Sequence, residues 1–246
     1  MALIAVESKE VIDYRGRLPV RKSSQGYPSR PLGGIDMVVI HYSGVDSDSG
    51  APEIALYQTT KTAGDLFPEC AYSFVIRWDG RIEQCHDLEK RTWHAGGRNN
   101  DTGIGVCLPG SGWPTSDQLD SAAALIRALN RSLGRGGNRP PLRVMGHKEV
   151  SSTLCPGPYW ASWKETLMSR VGMGSQVNTG AGSSASKPPP AVVLGFKRVY
   201  DYLGAEKCGV PISPERYDGQ GNSNQLFTRC EMRWDKATNR VWVSFN

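Results

Sequence analysis

Residues 103–147, GIGVCLPGSGWPTSDQLDSAAALIRALNRSLGRGGNRPPLRVMGH, place a long helical pattern between two short apolar runs. The first run, "GIGVCL" (103–108), is bounded by a Pro-Gly pair and reads as a buried strand. In "TSDQLDSAAALIRALNRSLG" (115–134), Leu119, Ala123, Ile126, Leu129 and Leu133 recur on one helical face. Thr115 and Gln118 have the spacing of a capping box, and Gly134 supplies the C-terminal stop. "LRVMGH" (142–147) then forms a final short strand that ends at His147. Strands interleaved with helices predict a sheet covered by helices.

The flanking sequence extends this pattern. "MVVIHY" (37–42) is a β-rich run that includes His41 near its end. "AYSFVIRWDGRIEQC" (71–85) is two alternating runs around Asp79-Gly80, a two-residue hairpin signal. "YWASWKETLMSR" (159–170) reads as a closing helix. The fold class is α/β, with a mixed central β-sheet flanked by helices. "GMGSQVNTGAGSSASKPPPA" (172–191) is a Gly/Ser stretch ending in a stiff proline spacer. It divides the chain into a domain over residues 1–171, a flexible linker over 172–191 and a small α+β module over 192–246. The module opens with an amphipathic helix pattern at Phe196, Val199, Tyr200 and Leu203, passes a "CGVPIS" turn, and ends in strand-like runs at "QLFTRCEMRW" and "RVWVSF".

With 246 residues, 39% hydrophobic and 22% charged, the chain has the composition of a globular protein with a real core. Its net charge of +5 is spread along the chain, which gives no basic stripe for nucleic acid and points weakly to an anionic surface. The start, "MALIAVESKEVIDYRGRLPV", shows no secretory signal, and no apolar run is long enough to span a membrane. The six cysteines contain no CxxC pair, and if Cys155 is a ligand an odd number remains, so a full disulfide framework is not expected; a Cys208–Cys230 bridge stays open.

His41, His147 and Cys155 attract attention because both histidines lie at strand ends, where side chains project into a crevice. Two imidazoles and a thiolate suit Zn²⁺ and leave one coordination position open. The plain alternative is an edge histidine and a small buried cysteine.

"VVIHYS", "YSFVIRWDGRIEQ", "WHAGG", "TGIGVCLPG" and "GHKEVSSTLCPG" resemble, in order and spacing, blocks of the zinc-dependent N-acetylmuramoyl-L-alanine amidases. That family includes phage lysozyme-type amidases and peptidoglycan recognition proteins, and the likeness covers roughly residues 35–170. It implies that His41, His147 and Cys155 are the three zinc ligands. It also implies cleavage of the amide between the muramic acid lactyl group and L-alanine. Tyr72 matches the tyrosine that lies beside the metal-bound water in catalytic members. Thr153 matches a position held by lysine in some members and threonine in others. A phenol of ordinary pKa near 10 is a poor base at neutrality, so Tyr72 is expected to orient water. Thr153 offers an O–H toward a developing oxyanion.

His94 occupies a position where many members carry histidine near the substrate groove; it either bonds substrate or packs beside Trp93. Trp78, Trp93 and Trp113 could stack on sugar rings. His86 reads as solvent-facing, Lys148 and Glu149 as exposed loop charges, and Cys107 as a buried strand cysteine. Cytoplasmic recycling amidases carry a glutamate where Cys107 stands, so the lytic branch fits better. The resemblance therefore implies an endolysin, acting on bacterial peptidoglycan after accumulating in the host cytoplasm. Two rivals stay open: a non-catalytic muropeptide-binding protein, and a cysteine peptidase using Cys155. The tail loosely resembles modules behind wall hydrolases and would serve as a cell-wall-binding domain, with a plain folding or oligomerisation appendage as the open alternative.

Overall fold

The computed structural model describes residues 3–22, 24–45, 47–60, 67–172, 194–211, 215–217, 222–238 and 240–245. The chain divides into two compact units, Met1–Val177 and Asn178–Asn246. Apart from Gly172, the linker expected over 172–191 lies outside the described residues, as does part of the "CGVPIS" turn.

The first unit is built on a six-stranded sheet in the order β1-β4-β3-β5-β2-β6. Its strands are β1 (Val11–Asp13), β2 (Met37–Tyr42), β3 (Phe74–Ile76), β4 (Ile82–Gln84), β5 (Gly103–Leu108) and β6 (Arg143–Gly146). Only the β3–β4 pair is antiparallel; β1–β4, β3–β5, β5–β2 and β2–β6 are parallel. The sheet is therefore mixed, as the sequence predicts. Every residue of β3, β4 and β5 is buried. Both faces are covered, so the in/out alternation expected for the hairpin gives way to continuous burial.

One face carries the main core. Val38, Ile40, Phe74, Ile76, Ile104 and Val106 meet apolar residues of α3 (Ser116–Ser132) and α4 (Trp160–Val171). The capping box of α3 is formed as predicted: Gln118 N donates to Thr115 Oγ1 at 3.0 Å, and Thr115 N to Gln118 Oε1 at 2.9 Å. A cap of this kind is worth ~1 kcal/mol. The Gln118 amide also donates to the Ile76 and Pro109 carbonyls, which ties the helix start to the sheet.

The opposite face carries α1 (Ala51–Thr60), a helix absent from the sequence reading. Its inward positions are Ala51, Ile54, Ala55, Gln58 and Thr59, a helical spacing in which two of the five are polar. That stripe is too weak to read from hydrophobicity. Gln58 is used instead as an acceptor for Ala71 N at 2.8 Å, and Thr59 bonds back to the Ala55 carbonyl. A short helix, α2 (Asn99–Thr102), leads directly into β5.

The hairpin differs from expectation in its turn. Arg77 N donates to the Arg81 carbonyl and Gly80 N to the Arg77 carbonyl, both at 2.9 Å, so three residues form the loop. Gly80, at φ +83°, supplies the left-handed position that such a loop needs.

The second unit has helices α5 (Leu194–Leu203) and α6 (Ala205–Cys208) and a four-stranded antiparallel sheet in the order β10-β9-β8-β7. Its strands are β7 (Arg216–Tyr217), β8 (Ser223–Leu226), β9 (Cys230–Asp235) and β10 (Arg240–Phe245). Phe196, Cys208, Phe227, Cys230 and Met232 form its core. The run "QLFTRCEMRW" is two strands rather than one, because the chain turns between Phe227 and Cys230, with Phe227 N bonded to the Cys230 carbonyl at 2.8 Å. Cys208 and Cys230 are free thiols, as are the other four cysteines.

Candidate metal centre

The site lies on the α1 face, at the ends of parallel strands. His41 is the fifth residue of β2, on the same side as Met37 and Val39, and pairs in register with Cys107 of β5. His147 follows β6 and opens a single 3-10 turn, His147–Glu149. The chain then returns so that Cys155 faces both histidines. One ligand atom from each of His41, His147 and Cys155 lies within 4.8 Å of the others. Cys155 Sγ is 3.6 Å from His41 Nδ1, and the two imidazole centroids are 4.5 Å apart.

The return loop explains how residues eight apart in sequence come together. Lys148 N donates to the Cys155 carbonyl at 2.7 Å, and Lys148 Nζ to the Gly157 carbonyl at 2.8 Å. Glu149 accepts from Gly146 N at 2.7 Å, from the Trp160 indole at 2.9 Å and from Lys164 at 2.7 Å. Glu149 is exposed, as expected, and Lys148 only in part, but both charges have structural partners: Lys148 closes the loop and Glu149 anchors it to α4. Beyond Cys155, Gly157 meets Gly112 backbone to backbone. A Cβ on Gly157 would stand 2.8 Å from Gly112 Cα, and one on Gly112 3.1 Å from Gly157 Cα.

Burial sets the electrostatics. It holds His41 well below the ordinary histidine pKa, helped by its neighbours His94 and His147, and it lowers His147 as well. Both rings are neutral at pH 7 and keep a lone pair for an ion. The Cys155 thiol is pushed up to about 11 by burial, offset only in part by a backbone hydrogen bond from Tyr42 and by Lys148. Two neutral imidazoles and a thiol that ionises on ligation are a donor set that fits Zn²⁺.

Tyr72 is half-buried with its ring 5.0 Å from that of His41, so the structure brings it to the cluster. Burial, then the thiols of Cys107, Cys155 and Cys70, hold its phenol well above the usual pKa. It is a hydrogen-bond donor rather than a base. Thr153 Oγ1 accepts from Cys155 N at 3.2 Å, which uses one lone pair and leaves its O–H free to donate elsewhere.

His94 is not at a groove surface. It is buried, its Nδ1 is 3.0 Å from His41 Nε2, and its Nε2 is 3.1 Å from the Gly103 carbonyl. Burial lowers its pKa to about 3. With both nitrogens engaged inside the protein, it stands behind His41 and has nothing left for a substrate. Trp93 lies edge-on to Tyr27 at 5.3 Å, with 41% of its surface exposed. His86 is buried, contrary to the expectation of a solvent-facing ring, because its Nε2 donates to the Cys70 carbonyl at 2.7 Å. Cys107 is a buried strand residue, as predicted. Trp113 lines a slot beside His41 with Tyr42, Leu108, Pro156 and Trp163; Trp78 is tied by its indole to the Pro109 carbonyl. Sequence reasoning missed Arg30, Gly103 and Gly105, which surround His94; the alternating glycines of "GIGVCL" were the available signal.

Residues 30–158 match the family model for N-acetylmuramoyl-L-alanine amidase, an interval that covers more than half the chain and every residue of the site. The chain belongs to this amidase family. Among curated relatives, the endolysin of Enterobacteria phage K11 is 30% identical over 123 residues, which span 48% of this chain and 77% of that protein. A peptidoglycan-recognition protein of Drosophila melanogaster is 32% identical over 108 residues, 40% of this chain and 57% of that protein. The chain thus spans little more than half the length of this fly relative. Two solved structures share the fold at low identity. Drosophila PGRP-LB aligns with TM-score 0.51 and 21% identity over 70% of this chain and 99% of that one. The Ph2119 endolysin from Thermus scotoductus MAT2119 bacteriophage Ph2119 aligns with TM-score 0.51 and 17% identity over 68% and 100%. Among the described residues no helix is long and apolar enough to cross a membrane.

Proposed function

We propose that this amidase-family chain is a zinc-dependent endolysin that hydrolyses the amide between N-acetylmuramic acid and L-alanine of bacterial peptidoglycan. The observation that carries this reading is the convergence of His41, His147 and Cys155 within 4.8 Å. Bound there, zinc would supply the Lewis acidity that polarises the scissile carbonyl and acidifies the attacking water. The residues around it divide the remaining work. The Tyr72 phenol, kept protonated by its surroundings, orients the attacking water by hydrogen bonding. The Thr153 O–H, left free by the bond its oxygen accepts from Cys155 N, donates toward the developing oxyanion. The similarity to the phage K11 endolysin supports a lytic role at the wall. The second compact unit would serve as the wall-binding module.

Two other readings are weaker. The first is a recognition protein without catalysis; peptidoglycan-recognition proteins are among the relatives, but the side chains of His41, His147, Cys155 and Tyr72 that hydrolysis would need lie together here. A cysteine peptidase needs a thiol with lowered pKa, whereas Cys155 is raised to about 11.

Mass analysis of products from purified sacculi tests the proposal. Release of stem peptides with a free L-alanine amine, lost on chelation and restored by zinc, is the expected result. Intact sacculi after incubation with zinc-loaded protein, or new reducing sugar ends alone, would overturn it.

A further inference from the structure

We infer that His94 is a positioning residue, which holds His41 in the tautomer whose bare Nδ1 faces Cys155. The chain of logic starts at a backbone oxygen. A carbonyl only accepts, so His94 Nε2, 3.1 Å from the Gly103 oxygen, carries the ring hydrogen. A neutral imidazole has a single ring hydrogen, so His94 Nδ1 is an acceptor. His41 Nε2, 3.0 Å away, then donates to it. The remaining nitrogen of His41, Nδ1, is left with its lone pair, 3.6 Å from Cys155 Sγ. The other tautomer of His41 would set two lone pairs against each other at the His94 contact and turn an N–H toward the cluster.

Three further features hold this relay in place. The Gly103 carbonyl also accepts from Arg30 Nη1, and Arg30 Nε is anchored on the Leu88 carbonyl, so the oxygen is held from a second side. The His94 ring lies over two glycines of β5. A Cβ on Gly105 would stand 2.8 Å from His94 Cγ, and one on Gly103 3.1 Å from His94 Cε1. The ring is 6% exposed, so water does not compete for either nitrogen. The alternating glycines of "GIGVCL" thus make the space in which a metal-ligand histidine receives its partner. Partners of this kind fix ring orientation and tautomer, and their loss costs roughly 10- to 100-fold in metal affinity.

The consequence for ion binding rests on the metal-site reading above; the proton position on His41 is a property of the metal-free chain. Long-range ¹H–¹⁵N correlation spectra of the full chain without metal should show His41 and His94 both protonated at Nε2. In His94→Leu, His41 should become a mixture of tautomers, and zinc affinity should fall about 10- to 100-fold. His94→Gln, whose amide can donate to Gly103 and accept from His41, should recover most of that loss. Gly105→Ala keeps the imidazole but displaces it, and should weaken zinc binding in the same direction. A wild-type His41 protonated at Nδ1 would overturn the inference without any variant. So would a folded His94→Leu with unchanged His41 tautomer and zinc affinity. Failure of the wild-type chain to bind zinc would instead refute the metal-site reading and leave the tautomer result standing.

Discussion

His41 Nδ1 and Cys155 Sγ stand 3.6 Å apart although 114 residues separate them in the chain. One atom comes from the end of a central strand, the other from a loop drawn back by Lys148. Neither element has the site by itself. The protonation of this pair governs how an ion enters.

The Cys155 thiol, raised to about 11 by burial, has to lose its proton to ligate, whereas His41 and His147 are already neutral at pH 7. Zinc binding should therefore release one proton, and Kd should fall about tenfold for each pH unit between about pH 7 and 9. Competition with a chelator of known affinity, repeated across that range, measures the slope. A flat profile would exclude thiolate ligation. Cys155→Ala should lose tight binding, while Cys107→Ala, in the buried strand opposite His41, should keep it.

Tyr72→Phe should fold and bind zinc as the parent does, because the ring packing on His41 survives. Turnover should fall on the order of 10²–10³-fold, the typical effect of removing one positioned donor in a desolvated site. Thr153→Ala should lose less activity. Wild-type turnover of sacculi by Tyr72→Phe would refute the role given to the hydroxyl.

Glu149→Ala removes the acceptor shared by Gly146 N and the Trp160 indole, and should cost about 1–3 kcal/mol of stability. Burial opposes ionisation of Glu149, but Lys164, the Gly146 N–H and the Trp160 indole together hold its carboxyl below the ordinary value of 4.5. A depressed folded-state pKa means the contribution is complete above pH 4.5 and is lost as the pH falls through the folded value. Urea titrations of parent and variant should differ near neutral pH and converge as the pH falls below the ordinary carboxylate range.

Removal of residues 178–246, the second compact unit, should leave zinc content and turnover of a small soluble muropeptide almost unchanged. Binding to intact sacculi and lysis at low enzyme concentration should drop, because two linked modules raise each other's effective concentration at a surface. Sacculus pull-down beside a melting curve reads both effects. Equal pull-down by the shortened chain would dismiss a wall-binding role for the tail.

The mixed sheet is legible because β2 and β5 are short apolar, β-rich runs and α3 carries a strong helical period, and the ligand triad because histidines at strand ends are conspicuous. The hidden parts have specific causes. α1 turns Gln58 and Thr59 inward, so its buried face is not apolar. Glu149 and Lys148 look like surface charges until their partners, a backbone N–H, an indole and two carbonyls, are placed in space. The choice left open for His94, substrate contact or packing, is hidden for the same reason: which side of a histidine meets solvent depends on tertiary contacts, here two glycines 9 and 11 residues downstream on another element.

Gly112 and Gly157 both sit at φ +107° with their backbones in contact. No side chain fits on either without driving the two loops apart, and the loop of Gly157 carries Cys155 two residues earlier. In a population of variants these positions should behave as a single heritable character. A chain that trades one glycine must remodel both loops together or surrender its thiol ligand, so neutral drift at this contact is closed off on both sides.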